Sequence, residues 1–362
     1  MVKTHVNPCQ SAASSDHYEQ RVAIVLVNWN AWADCVDCLD SLFGGVQPPW
    51  HVYLVDNASA DGSLDKIAAW CAKPTRPQNA TDFPGVLRHS ESASPTSLHV
   101  RRVSSPAQGA PALERGCRIS LVQSGSNLGF AGGNNVGIKL GLAEGAPWFW
   151  LLNTDTVVHQ DALASLLERA ATAGPRAGII GSTLLYYDKP ETVQALGGAS
   201  LSHRTFGATH LGIGLRVGEV PDDPAAVESR MAYVVGASML VSRAFVERVG
   251  LMQEDYFLYF EELDWATRAS GLFTQHWAPR SRVWHKVGSS SAKVLSAFSA
   301  RLLLRNRLRF VERFFPAQLG AVRRQVWWEL LRHLLKRRFA QARIYWGVLL
   351  AKTDGWLPHK GA

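Results

Sequence analysis

Four short apolar runs, VAIVLV (22–27), HVYLVD (51–56), RISLVQ (118–123) and WFWLL (148–152), constrain this chain more than any other feature. They are rich in β-branched and aromatic residues, and each is followed by helical spacing or a glycine-rich turn. Helices are expected over about 34–43, 61–71 and 161–172, and from the turn at 127–133 to about 142. Strands alternating with helices build right-handed βαβ units, hence an α/β fold whose mostly parallel, Rossmann-like sheet is flanked by helices. Ligands of such sheets sit at the carboxyl ends of the strands. There the sequence places Asn28, Asp56, Asn127 and Asp155.

Elsewhere the pattern changes. Residues 73–117 hold six of the seventeen prolines and no sustained apolar period, which predicts a loosely packed insertion loop. Short strand-like runs over 177–242 suggest a more antiparallel half, with YVVGASMLVS (233–242) its strongest strand. An acidic cluster leads into a short helix before 271, and RVWH (282–285) reads as a last short strand. The expected organisation is a disordered segment over 1–20, a catalytic domain over 21–292 and a basic helical region over 293–362.

A composition that is 47% hydrophobic excludes a disordered chain. Five cysteines in 362 residues exclude a disulfide scaffold and point to a reducing compartment. Cys35 and Cys38 form a lone CxxC with no second pair at zinc spacing, so burial one helical turn apart is favoured over metal or redox chemistry. The net charge of +8 is concentrated: between Arg301 and Arg343 stand twelve Lys/Arg against two Glu, leaving the remainder near −2. No run reaches the roughly 18 apolar residues of a membrane span. The first twenty lack the apolar core of a secretory signal, which predicts a cytoplasmic protein.

Several residues could carry chemistry. Asp155, at a strand tip in Asn153-Thr154-Asp155, could hold a divalent metal against a diphosphate, or simply cap an Asx turn. Glu261, Glu262 and Asp264 lie in an apolar frame, where burial and mutual repulsion would raise a carboxyl pKa into the range of a general base. They could equally be acids meeting a helix N-terminus. His285 is a candidate metal ligand or a structural histidine. The segment NLGFAGGNN (127–135) permits close backbone approach and opens a helix whose amides can meet an anion. It is neither GxGxxG nor a P-loop, which disfavours a dinucleotide or triphosphate site.

The motifs VNWN, VDNASADGS, NLGFAGGNN, LLNTD, VVGASMLVSR, YFEELDWATR and VWH occur in one order along the chain. In this it resembles glycosyltransferase family 2, of GT-A fold, and most of all bacterial rhamnosyltransferases of surface polysaccharide synthesis. The resemblance spans about 22–310 without the insertion. It implies an inverting transfer from a nucleotide sugar, dTDP-L-rhamnose above UDP-hexose or UDP-galactofuranose, to a saccharide or lipid-linked saccharide. It implies Asn28, Asn30, Asp56, Asn57 and Ser59 around the nucleotide, with Asp56 reading the base. It adds Asn127, Gly129 and Asn135 along the donor pocket, Asp155 and His285 as ligands of Mg²⁺ or Mn²⁺, and Asn153 beside the sugar. The family's acid pair matches Glu261 and Glu262, with Glu262 the base where the family usually has Asp. That substitution moves the carboxylate by roughly a bond length. The other classes weighed are a non-catalytic sugar-nucleotide-binding assembly protein and a nucleotidyltransferase, the latter disfavoured because 127–135 has no basic residue.

The tail sets Leu, Trp and Phe on one helical face with Arg and Lys around it. That fits a helix lying on anionic lipid at the cytoplasmic membrane face, or helices packed on the catalytic domain. No nucleic-acid motif accompanies the charge.

Overall fold

A computed structural model describes residues 22–46, 49–93, 95–104, 117–286 and 296–350. The expectation for 1–20, like part of the insertion and the last twelve residues of the tail, lies outside the described residues. The chain runs β1 (Val22–Asn28), α1 (Trp32–Gly45), β2 (Trp50–Asp56), α2 (Ser63–Ala72), β3 (Val100–Val103), β4 (Ile119–Gln123), α3 (Gly129–Ala143), β5 (Trp148–Asn153), β6 (Thr156–Val158) and α4 (Ala162–Ala173). It continues through β7 (Ala177–Tyr186), β8 (Val193–Leu196), β9 (Gly198–Leu201), β10 (Ala208–His210), α5 (Pro224–Glu228), β11 (Tyr233–Val234), β12 (Ser238–Ser242), α6 (Arg243–Val249), α7 (Glu261–Arg268) and β13 (Thr274–His285). It closes with α8 (Ala297–Phe314), α9 (Leu319–Leu335) and α10 (Phe339–Leu350).

The main sheet has the order β3-β4-β2-β1-β5-β12-β7-β13-β6, with β8 on β7. From β3 to β5 every pairing is parallel, and β12 then enters antiparallel. The strands are apolar on both faces because both are covered. In β1, Ile24 and Leu26 face the core beneath α1, α2 and α4, while Ala23 and Val25 face the core beneath α3 and α6. The chain leaves β1 for β2 on one side and later sets β5 on the other, so a crevice opens at their carboxyl ends. Register fixes what stands there: Asn28 is opposite Asp56, and Val27 opposite Asn153.

Helix α3 lies unusually close to β1. A Cβ on Gly133, Gly137 or Gly141 would come within 2.6, 2.4 and 2.8 Å of Val27, Val25 and Ala23. These glycines recur every four residues, one stripe of the helix, and the stripe brings the first turn of α3 against the crevice.

Three expectations change. The insertion contributes strand β3, hidden from sequence reading because Arg101, paired with Glu144, occupies a buried position in it. Its first part is packed: buried Arg88 pairs with Asp37 at 2.5 Å and lies 3.8 Å from Asp40, and Phe83 stacks on Trp284 at 4.8 Å. Residues 233–242 are not one strand. They divide into β11, in a small sheet with β9 and β10, and β12, in the main sheet. The last strand is longer than 282–285, reaching back to Thr274. Cys35 and Cys38 are free and buried, with burial pushing both thiols up, that of Cys38 to about 12. Reactive chemistry at a thiol needs the opposite shift.

Candidate active site

The crevice wall begins with Asp56, 1% exposed. Its Oδ1 accepts from Asn28 Nδ2 at 2.9 Å and from Ser59 Oγ at 2.6 Å. Its Oδ2 accepts from the Ser59 amide at 3.0 Å and, more weakly, from Gln123 Nε2 at 3.4 Å. Ser59 Oγ also accepts from Asn28 Nδ2 at 3.1 Å and from the amide of Asn30, whose Oδ1 accepts from the Ala60 amide. Asn28, Asn30, Asp56 and Ser59 thus form one network. Asn57 turns the other way, donating to the Gly129 carbonyl at 2.9 Å, and its own Oδ1 is buried without a partner.

At the start of α3, Asn127 Oδ1 accepts from the Gly129 amide at 3.0 Å, and the Phe130 amide donates to the Phe257 carbonyl at 2.7 Å. Two of the amides expected to meet an anion are therefore engaged within the protein. Asn135 is 1% exposed and engaged within the protein. Its Nδ2 donates to the Met252 carbonyl and Glu254, and its Oδ1 accepts from the Met252 amide, so it ties α3 to the chain after α6.

Between β5 and β6 the chain turns at Thr154-Asp155. Strand β13 pairs with β6, with His285 opposite Thr156, and this brings His285 Nε2 to 3.2 Å from Asp155 Oδ1. The other ring nitrogen meets Gln194 Oε1 at 3.0 Å. If Nδ1 donates there, Nε2 is left facing the carboxylate, the second-shell pattern common in metal-ligating histidines. Burial pushes the Asp155 carboxyl up, but the charge and hydrogen bond of His285, with Lys286 adding to them, hold it below its ordinary value. Lys286 itself is gripped by Asp34 and Asp37 at 2.8 and 2.7 Å. Among the described residues no three acidic, histidine or cysteine side chains form a metal cluster. The pair still fits a divalent ion. Two neighbouring ligands of an octahedral ion at about 2.1 Å stand about 3 Å apart, and such ions take further ligands from phosphates and water.

The acid pair opens α7. Before it the backbone is strained: Phe257, Tyr259 and Phe260 have φ of 64°, 71° and 77°, a region bulky residues avoid. The brace is Asn306 of α8, fully buried, whose Nδ2 lies within 2.9 Å of the carbonyls of Tyr256, Leu258 and Tyr259. Asp264 is structural, accepting from Arg268, Arg313 and the Tyr256 hydroxyl. Among the described residues, Glu261 and Glu262 have no cationic partner. Glu261 is 1% exposed and its Oε2 has no partner. Glu262 Oε1 accepts from the Gly236 amide at 3.2 Å, and a Cβ at Gly236 would lie 2.5 Å from that oxygen. Burial pushes both carboxyls up, and the charge of Glu262 pushes Glu261 further.

Hydrogen bonds join these parts into a closed circuit. Asn57 reaches Gly129, Phe130 reaches Phe257 at the start of the strained loop, and Glu262 reaches Gly236. Beside Gly236, the Ala237 carbonyl accepts from the Asn153 amide at 3.0 Å, and Asn153 returns through β5 to β1. Sequence reasoning missed Gln123, Gln194, Gly236, Lys286 and Asn306. Asn306 lies in an arginine-rich amphipathic helix with nothing local to set it apart. Beside it, buried Arg305 has Nε and Nη1 without partners.

No family model matches the chain. It is 25% identical over 152 residues to the low-salt glycan biosynthesis hexosyltransferase Agl10 of Haloferax volcanii, covering 42% of this chain and 46% of that protein. Among solved structures, GalNAc-T7 with UDP, GalNAc and Mn²⁺ aligns at TM-score 0.53 and 14% identity over 82% of this chain and 48% of its own. The mannosyltransferase PcManGT from Pyrobaculum calidifontis, in complex with GDP-Man and Mn²⁺, aligns at TM-score 0.48 and 16% identity over 94% and 77%. The chain thus spans about half the length of Agl10 and GalNAc-T7. The mostly parallel sheet flanked by helices and the alignment with GalNAc-T7 give the GT-A fold.

Proposed function

We propose that this protein is a metal-dependent, inverting glycosyltransferase of glycan biosynthesis, using a nucleotide-sugar donor and a saccharide or lipid-linked saccharide acceptor. The observation that carries the reading is the hydrogen-bonded circuit with a metal-type Asp–His pair on one side and, on the other, an acid pair of buried Glu261 and half-buried Glu262 with no cation beside it among the described residues. In this reading Asp56 receives the nucleobase, and the weakly held position of Gln123 is the one a base N–H would take. Asn28, Asn30, Asn57, Ser59, Asn127 and Gly129 shape the nucleotide wall, and Asn153 lies beside the sugar. Asp155 and His285 would hold Mg²⁺ or Mn²⁺, which would supply positive charge to the departing diphosphate. Buried Arg305, whose Nε and Nη1 lack partners while Nη2 meets the Asp255 carbonyl, would favour an anionic ligand beside it.

Glu262, fixed by the Gly236 amide, takes the proton of the acceptor hydroxyl. The freed oxygen attacks the anomeric carbon from the face opposite the diphosphate, the glycosidic bond forms as the bond to the nucleoside diphosphate breaks, and the configuration inverts. Burial, against the hydrogen bond from the Gly236 amide, raises the carboxyl pKa of Glu262. The raised pKa suits a base, since proton transfer is most effective near the working pH.

dTDP-L-rhamnose is the donor we favour. Calorimetric titration with dTDP-rhamnose, UDP-glucose, UDP-galactose and UDP-galactofuranose, with Mn²⁺ and then chelator, tests it. The expected result is metal-dependent binding of dTDP-rhamnose and slow hydrolysis of it, with Glu262→Gln lowering turnover about 10²–10⁴-fold while binding persists. Preference for a UDP sugar overturns the donor assignment. Absence of binding to any nucleotide sugar by folded protein overturns the function.

A further inference from the structure

The carboxyl-terminal helices carry a surface that the chemistry above does not use. Helix α9 buries Val322, Val326 and Leu330, one stripe at intervals of four residues, with Val322 and Val326 in the core shared with α8. Its opposite side is apolar as well: Trp328, Leu331 and Leu335 are 66, 42 and 76% exposed. On α10, Phe339 and Trp346 continue this surface at 65 and 49% exposure, and the ring of Trp346 meets that of Trp327 edge-on at 5.7 Å. That contact joins the two helices' outer faces into one patch. Eight of the fifteen large apolar side chains exposed among the described residues lie between 327 and 350. An ordinary solvated surface scatters them singly.

Charge identifies the occupant. From Leu319 to Leu350 the sequence has seven Lys or Arg and one acid, Glu329, which Arg307 holds at 3.1 Å. Arg323, Arg324 and Arg332 share α9 with the patch, and Lys336, Arg337 and Arg338 form the turn between the helices. A protein partner with an apolar face would satisfy the tryptophans and leucines but not a cationic rim of this density. An anionic bilayer satisfies both at once, with rings and leucines entering the headgroup boundary and guanidinium groups meeting phosphates. No described helix is long and apolar enough to cross a membrane, so the hairpin would lie on the surface.

We propose that the outer face of α9 and α10 docks this protein on an anionic lipid bilayer. The proposal stands apart from the donor assignment and from the sugar transfer itself. Its test is flotation of the full chain with vesicles of phosphatidylcholine alone and of phosphatidylcholine with about one third phosphatidylglycerol, at about 0.1 M and 0.5 M salt. Expected are binding to the anionic vesicles at least about tenfold tighter than to neutral ones, weakening at high salt, and a blue shift of tryptophan emission. The variant Trp328→Ser/Leu335→Ser/Phe339→Ser should lose flotation with its melting temperature and nucleotide-sugar binding unchanged. Arg337→Glu/Arg338→Glu should lose the preference for anionic lipid. Absence of flotation, or equal flotation by the serine variant, overturns the proposal. A lipid-free dimer that the serine variant converts to monomer, with no vesicle binding by either, overturns it in favour of a second copy of this chain. Failed docking with intact donor binding leaves the glycosyltransferase reading standing, and the converse result separates the two equally well.

Discussion

Glu261 and Glu262 are neighbours in the chain, yet their surroundings divide them. Glu262 has an amide to hold it, whereas Glu261 has a carboxylate oxygen with no partner and is almost wholly buried. A carboxyl whose folded pKa lies above its unfolded one costs nothing at low pH, where both states hold the proton. The cost appears as pH rises above the ordinary glutamate value of 4.5, because the unfolded chain ionises first. Glu261→Gln should therefore leave stability unchanged near pH 4 and raise it by about 1–3 kcal/mol at pH 8. Thermal unfolding across that range checks this, and a stabilisation that is equal at both ends would refute it. The residue types were legible in the sequence because two acids in an aromatic frame are conspicuous. The resemblance singled out Glu262, but the amide that holds its carboxylate was not legible, since Gly236 is distant in the chain. Asn135 shows the reverse case: it sits in a glycine-rich motif that points at a ligand, but its amide is occupied by Met252 and Glu254.

Among the elements, α3 and α8 do the positioning. The glycine stripe of α3 is a packing device, and Gly137→Ala would press a methyl group into Val25. We expect a loss of about 1–3 kcal/mol, recovered in part by Val25→Ala in the same chain, a non-additivity that a double-mutant cycle would read. Helix α8 was expected from its amphipathic period, but its tie to the strained loop before Glu261 was not. Because one amide of Asn306 serves three carbonyls, Asn306→Ala should release the strained backbone before Glu261. The expected outcome is turnover reduced at least tenfold with donor affinity nearly unchanged, together with about 1–3 kcal/mol of lost stability. A fall in donor affinity as large as the fall in turnover would show that Asn306 supports the nucleotide wall instead. The elements most legible in advance were β1, β2, β4 and β5, whose uninterrupted apolar runs reflect burial on both faces. β3 was illegible because ion pairing, not hydrophobicity, lets Arg101 occupy its buried position.

Across the whole molecule, the strand–helix alternation was enough to indicate an α/β sheet and the end of it at which the candidate site was sought. It could not show how the antiparallel half closes over that end, because those strands are short and their pairing is set by partners far away in sequence. The division of 233–242 between two sheets is the clearest instance. The chain changes sheet at Gly236 and Ala237, one residue facing the acid pair and the next holding the metal-type turn. One peptide link, with its fixed span of about 3.8 Å, therefore gauges the two ends of the site against each other. A gauge that short cannot be lengthened or retuned by degrees. On the proposed reading, variation in acceptor has to arise in the side chains and loops around the crevice, while the spacing between its two ends stays constant.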